Sequence, residues 1–264
     1  MTNLAKEKSM ITNLAKGKSV MTNLANDAAI KSSRANPINF EKIIYHISLF
    51  ISIFSVLYIL SVFVVGYSWL PIIKMDIGSE SFMLSLMECL IGALALHAPM
   101  IIKKLTKIDI PDMLKAFFYI FVVCATVLGE MFSLYYEISF WDVLLHFGSG
   151  IMAGMLGSII VSHYFQAKNL KSLLSPMFVA IAAVCFSLLI GVVWEIFEFS
   201  VDYLFSFNMQ KCLLQDGTAL IGKLAVADTM KDLIVDFAGA IIAALAAHSS
   251  LKNKKGWLYS YKVA

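Results

Sequence analysis

The sequence predicts an all-α polytopic membrane protein, a bundle of six transmembrane helices with both termini cytoplasmic. Three observations carry that expectation. The 264-residue chain is 59% hydrophobic and only 15% charged, and its mean hydropathy of +0.79 is too high for a soluble domain of this size. Six apolar stretches are each about as long as the roughly 20 residues needed to cross a hydrocarbon core, where the backbone must satisfy itself. Lysines, finally, crowd into alternate connections between those stretches, as the positive-inside rule requires.

Residues 1–40 are a polar tail. It carries a ten-residue repeat, TNLAKEKS, TNLAKGKS and TNLANDAA, beginning at Thr2, Thr12 and Thr22. The repeat is too short and polar to stack as a solenoid, and its composition predicts disorder. A basic amphipathic segment on the inner leaflet is the alternative. Met10 and Met21 stand close before repeat copies, so translation from a downstream start is also open.

The transmembrane domain, 41–250, opens with a span at Ile43–Val65, which lacks a small-residue cleavage site and reads as a retained anchor. Further spans follow at Phe82–Ile102, Met113–Tyr135, Phe140–Tyr164, Met177–Leu204 and Met230–Ser250. The second, with Glu88 and His97, is the one that could be re-entrant. Trp69, Tyr135, Tyr136 and Trp141 read as an outer aromatic belt.

Orientation comes from the basic residues. Lys6, Lys8, Lys16, Lys18, Lys31, Arg34 and Lys42 precede the first span, Lys103, Lys104, Lys107 and Lys115 follow the second, and Lys168 and Lys171 follow the fourth. Lys252, Lys254, Lys255 and Lys262 lie in a basic cytoplasmic tail, 251–264. The opposite connections offer only Lys74, Lys211 and Lys223. The net charge of +3 is then a basic inner face set against an acidic outer one. That excludes a nucleic-acid partner and makes membrane lipids the partners of the inner lysines. The location expected is the plasma (inner) membrane.

Cys89, Cys124, Cys185 and Cys212 form no CxxC pair and so no zinc ribbon or redox motif; a Cys89–Cys212 bridge is conceivable. The long connection Ser206–Thr229 has the length of a lid or binding loop.

The chemistry-bearing residues share one depth. Glu130, Glu195, Glu198 and Asp202 fall in the outer halves of outward-running spans. Asp142, His146, Asp228, Asp232 and Asp236 fall in the outer halves of inward-running ones, and Glu88 joins them. Steps of three and four residues place each set on one helix face. Below these faces run small residues, Gly150 and Gly154, Ala240 and Ala244, Gly191 and Ser187, which mark helix contacts. The acidic faces are therefore expected to point into the bundle.

One Asp at a helix centre costs about 2.5–3.5 kcal/mol on the lenient insertion scale, so the group must be hydrated, protonated, paired or metal-bound. No buried Lys or Arg is expected in the spans to neutralise it. Taken singly, Asp142, Asp202 and Asp228 also read as helix-end residues, Asp228 as an N-cap. Glu130 also reads as a carboxylic acid bonded to a backbone carbonyl, and His97 as a packing residue.

The succession WDVLLHFGSG (141–150), WEIFEF (194–199) and DTMKDLIVDFAGA (228–240) resembles the YjdF-like bacterial inner-membrane proteins and, more distantly, VanZ-like proteins, which are associated with glycopeptide antibiotic tolerance. The likeness covers Glu130 to Ala244. It implies that Asp142, His146, Gly150, Glu195, Glu198, Asp228, Thr229 and Asp232 are the shared motif residues; Asp202 and Asp236 have no clear match. No settled reaction comes with it.

The expected function is an outward acidic–histidine pocket that holds a divalent cation, Mg²⁺, Mn²⁺ or Zn²⁺. It would serve a hydrolase or transferase acting on a lipid-linked or cell-envelope substrate. Glu195, Glu198, Asp228, Asp232 and Asp236 are the candidate ligands, and His146, Asp142 and Glu130 the candidate catalytic groups. A proton- or cation-coupled transporter and a non-catalytic envelope-ligand-binding protein are the alternatives.

Overall fold

The computed structural model describes residues 39–70, 73, 80–214 and 217–261. The chain divides into a unit of residues 1–40 and one of 41–264, and the fold that follows is that of the second. The ten-residue repeats lie outside the described residues, as do Lys74 and Lys262.

Among the described residues, six helical stretches are long and apolar enough to cross a membrane. The first is α1, Phe40–Val65. The second is a pair, α2 (Glu80–Ala95) and α3 (Ala98–Thr106). Pro99 explains the break: it has no N–H to give the Ala95 carbonyl. His97 sits in the break, its Nδ1 3.1 Å from the Ala93 carbonyl, a hydrogen-bonded packing residue as expected.

The third stretch starts as α4 (Asp112–Val123) and widens into a π-helix over Cys124–Met131. The span thus ends four residues short of the expected Tyr135, and a separate short helix, α5 (Leu134–Glu137), follows. Ser133, at φ 61°, makes the turn. π-helical segments are rare and recur at functional sites; this one carries Glu130.

The last three spans are continuous, α6 (Trp141–Ala167), α7 (Pro176–Phe205) and α8 (Ala227–Lys252). Ser175 caps α7 by accepting from the Phe178 N–H, with Pro176 at the first helical position, where its missing N–H costs nothing. Asp228 is not the expected N-cap of α8. It lies inside the first turn, where a carboxylate suits the positive end of the helix dipole.

α6, α7 and α8 pack against one another more extensively than any other elements. The small residues explain how. A Cβ on Gly150 would strike the backbone carbonyl of Asp236, one on Gly239 the carbonyl of Phe147, and one on Gly154 would lie 2.7 Å from Ala243 Cβ. Ser187 of α7 donates to the Gly150 carbonyl (2.9 Å), which ties the third helix in. Backbones this close leave side chains at the same level only the space between helices.

At the end away from His146, Ile108, Ile110, Ile159 and Val179 form a core with Leu258 and Tyr261. The segment after α8 therefore folds back, with the Ser250 hydroxyl donating to the Lys255 carbonyl (2.6 Å) and accepting from the Tyr259 N–H. All four cysteines are free, so the conceivable Cys89–Cys212 bridge is not formed.

Candidate functional site

His146 is the centre of the site, buried on α6 one turn above Gly150. Its Nδ1 lies 3.4 Å from Asp236 Oδ2 of α8. The other oxygen of Asp236 receives the Ser149 hydroxyl at 2.7 Å. Asp236 fits between the helices because position 191 of α7 is glycine: a Cβ there would lie 2.5 Å from Asp236 Oδ2. With its proton on Nδ1, His146 donates to Asp236, and Nε2 is left as the free lone-pair nitrogen.

Nε2 faces two more carboxylates. Asp142 Oδ1 is 3.7 Å away and Asp232 Oδ2 3.9 Å. One ligand atom from each of Asp142, His146 and Asp232 lies within 4.8 Å of the others. These gaps are too long for hydrogen bonds. They match the roughly 3–4 Å between two donors that each sit about 2.0–2.2 Å from one shared ion. Asp232 Oδ1 is buried with no hydrogen-bond partner among the described residues.

Two lysines border this group; neither is a buried residue of a span, Lys211 lying in a connection and Lys231 being exposed, yet both pair with the acidic set. Lys211, in the connection between α7 and α8, reaches Asp142 Oδ2 (2.5 Å) and Asp228 Oδ2 (3.3 Å). Lys231, inside the sixth span, reaches Asp228 Oδ1 (2.9 Å), Asp232 Oδ1 (3.6 Å) and Asp142 Oδ2 (3.8 Å). Burial alone would lower the Lys211 pKa, but Asp142 and Asp228 outweigh it and hold the ammonium above the ordinary lysine range. The sequence signal for Lys231 was its i,i+3 spacing from Asp228; Lys211 had none, because only the path of the connection brings it in.

That path is set by Asp202. Its carboxylate accepts from the Met209 N–H (2.8 Å) and the Gln210 N–H (2.9 Å). Asp202 thus serves the loop and does not join the acidic face expected of Glu195, Glu198 and Asp202. Asn208 bonds Leu213 at both ends of its amide, which closes the turn that carries Lys211.

The remaining carboxylates divide into two places. Glu195 is 5% exposed, and neither oxygen has a hydrogen-bond partner of good geometry; Thr229, Gln210, His146 and Asp228 are its polar neighbours. Glu88, Glu130 and Glu198 line a cavity of about 180 Å³ together with Asp142, His146, Asp236 and Lys211. Trp194 Nε1 donates to Glu198 Oε1 (2.8 Å). Glu130 Oε1 is buried without a partner among the described residues, so the backbone-bonded carboxylic acid expected as one alternative is not formed at that oxygen.

Tyr135 also departs from expectation. It lines the cavity instead of an outer belt, because the π-helical turn puts Gly129 directly against its ring. Burial first, then the Glu88 and Asp142 carboxylates, push its phenol well above the usual range. The helices thus bring Asp142, His146, Asp232 and Asp236 to one point, with Asp228 and Glu195 beside them, and place Glu130 and Glu198 along the cavity.

Among known proteins, an uncharacterized protein of Thermotoga maritima is 29% identical to this chain over 164 residues, which is 61% of this chain and 74% of that protein. No solved structure matches the chain. The family profile described as "Predicted membrane protein (DUF2238)" matches residues 48–253, which include every residue of the site. The chain therefore belongs to the DUF2238 family of predicted membrane proteins.

Proposed function

We propose that this chain is a metal-assisted hydrolase or transferase of the plasma membrane, and that His146, Asp142 and Asp232 hold its divalent cation. The observation that supports this best is the spacing around His146 Nε2: 3.7 Å to Asp142 and 3.9 Å to Asp232, with Nδ1 anchored on Asp236. A carboxylate on the far nitrogen of a metal-binding histidine fixes its tautomer and raises its basicity. Asp236, one of the expected ligands, is thereby read as the group that orients the ring. Lys211 and Lys231 occupy Asp142 Oδ2 and Asp228, which leaves Asp142 Oδ1 and Asp232 Oδ2 to face Nε2.

A bound Mg²⁺, Mn²⁺ or Zn²⁺ would polarise a phosphoryl or carbonyl oxygen and acidify a water. The protein's own groups do the rest. Glu195, buried and without a hydrogen bond of good geometry, takes the proton from the attacking water or hydroxyl as general base. The new bond forms at the phosphorus or carbonyl carbon, the bond to the leaving oxygen breaks, and Glu195 passes the proton it took on to that oxygen. Lys211 and Lys231 offset the negative charge at the same place.

A membrane-embedded pocket favours a lipid-linked or cell-envelope substrate. The lysine distribution favours a pocket that opens outward with both termini cytoplasmic. The YjdF-like motif order, in which Asp142, His146, Glu195, Glu198, Asp228 and Asp232 recur, supports the same residue set.

Elemental analysis of the detergent-purified protein tests this reading, before and after stripping with chelator and reloading with each ion. The wild type should hold about one ion per chain. His146→Ala and Asp232→Asn should lose it, and Asp236→Asn should bind about 10–100-fold more weakly. Glu195→Gln should keep the ion and lose turnover of a lipid diphosphate. A wild type that takes up none of the three ions refutes the proposal.

A further inference from the structure

The cavity has a part that the His146 group does not use. Glu88 of α2, Glu130 of the π-helical segment and Glu198 of α7 line it, three carboxylates from three elements. They do not bring three ligand atoms within 4.8 Å of one another, as the His146 group does, so they do not suit a bare ion. Besides His146, Lys211 is the one basic residue among the lining groups, and its ammonium is already taken by Asp142 and Asp228.

Glu130 adds an independent observation. It lines the cavity and is 4% exposed, and its Oε1 is buried with no hydrogen-bond partner among the described residues. A buried, unsatisfied carboxylate oxygen costs more than most single interactions return, and so calls for a donor from a ligand.

Four aromatic residues, Phe121, Tyr135, Tyr136 and Trp194, line the same cavity. Ring faces carry negative potential and attract ammonium groups, most strongly where water is scarce. The protein holds one example of the arrangement: Lys211 Nζ stands 5.8 Å from the centre of the Tyr135 ring while it pairs with Asp142. At about 180 Å³, the cavity exceeds by more than ten-fold the roughly 10–15 Å³ that one water needs. A small organic head group fits.

We infer that this part of the cavity binds an organic ammonium group, so that the substrate handled at His146 carries a protonated amine. The word substrate rests on the function proposed above; the binding does not. The ammonium donates to Glu130 and Glu198 and lies against the aromatic side chains. No bond is made or broken there.

The test uses the full-length protein in detergent with chelator present, so that no ion contributes. Ethanolamine and its uncharged counterpart ethylene glycol are titrated by calorimetry. Ethanolamine should bind saturably and at least about ten-fold more tightly, and Glu130→Gln should weaken it about ten-fold, the worth of one charge-assisted hydrogen bond. Equal binding of the two compounds overturns the inference, as does full affinity in a folded Glu130→Gln protein. Should that variant not fold, the comparison on the wild type decides alone.

Repeating the titration in nanodiscs identifies the source of the amine. Loss of ethanolamine binding in phosphatidylethanolamine, but not in phosphatidylglycerol, assigns the site to a lipid head group. Equal binding in both assigns it to a free amine. Ammonium binding that persists in a protein unable to take up metal refutes only the function proposed above, and metal uptake without ammonium preference refutes only this inference.

Discussion

Two glycines on one helix, two residues apart, give the sharpest test of how the site is built. An alanine at position 150 puts its Cβ into the Asp236 backbone carbonyl, whereas one at position 148 meets nothing within 4 Å. Backbone cannot swing aside as a side-chain tip can, so Gly150→Ala must push α6 and α8 apart. Overpacking of this kind costs about 1–3 kcal/mol. Gly148→Ala should instead gain up to about 0.5–1 kcal/mol from helix propensity. The two variants thus differ by about 1–4 kcal/mol although the chemical change is identical. Thermal unfolding in one detergent should place Gly148→Ala at or above the wild type and Gly150→Ala several degrees below. The displaced atom also belongs to the residue that orients His146, so Gly150→Ala should lose metal affinity and Gly148→Ala should not. Coincident melting curves would mean that α6 and α8 do not meet at this level, and the site geometry would fall with them.

Other perturbations act on the connection that carries Lys211. Asp202→Ala strands the Met209 and Gln210 N–H groups, at about 1–3 kcal/mol for each donor left unsatisfied; trypsin should then cut the segment 207–226 faster than in the wild type, and unchanged cleavage would show that Asp202 does not hold the loop. Lys211→Met tests the ion pairs through pH. The folded pKa of Lys211 is raised, so its stabilising effect is complete below the unfolded value of about 10.4 and fades as pH rises through the folded one. The melting difference between wild type and variant should be constant between about pH 7 and pH 9 and shrink above about 10.4; a difference that persists or grows in alkali refutes the pairing.

Much of the fold was readable because length and apolarity are local properties. All six spans found in the structure overlap the expected ones. The shared faces were readable too: Asp142 with His146, and Asp232 with Asp236, follow from a four-residue step. What sequence spacing does not carry is the rotation of one helix against the next. Asp232 and Asp236 stand on the same face, yet one meets His146 Nε2 and the other Nδ1, because the ring lies between them. The π-helical turn shifts the phase of the third span, and so brings Tyr135 against Gly129 and Glu130 into the cavity wall. No count by 3.6 anticipates that. Lys211 was out of reach for a third reason, since a loop cation's partner depends on every hydrogen bond that shapes the loop.

These misses bear on how the charges are tolerated. With the acidic groups taken as one unpaired set, only water, protons or a cation would compensate them. The structure divides them. Asp142 and Asp228 are met by two lysines, Asp236 by His146 and Ser149, and Asp202 by two backbone N–H groups. Among the described residues, the buried carboxylate oxygens left without a hydrogen bond are few: both oxygens of Glu195, Asp232 Oδ1, which has only the Lys231 ammonium at 3.6 Å, and Glu130 Oε1. Those are the atoms with the most to gain from a ligand, since an unmet buried acceptor keeps its full desolvation cost. They fall in two places, beside His146 and along the glutamate-lined part of the cavity. A single metal ion could relieve the first, while the second needs a hydrogen-bond donor large enough to touch several elements at once.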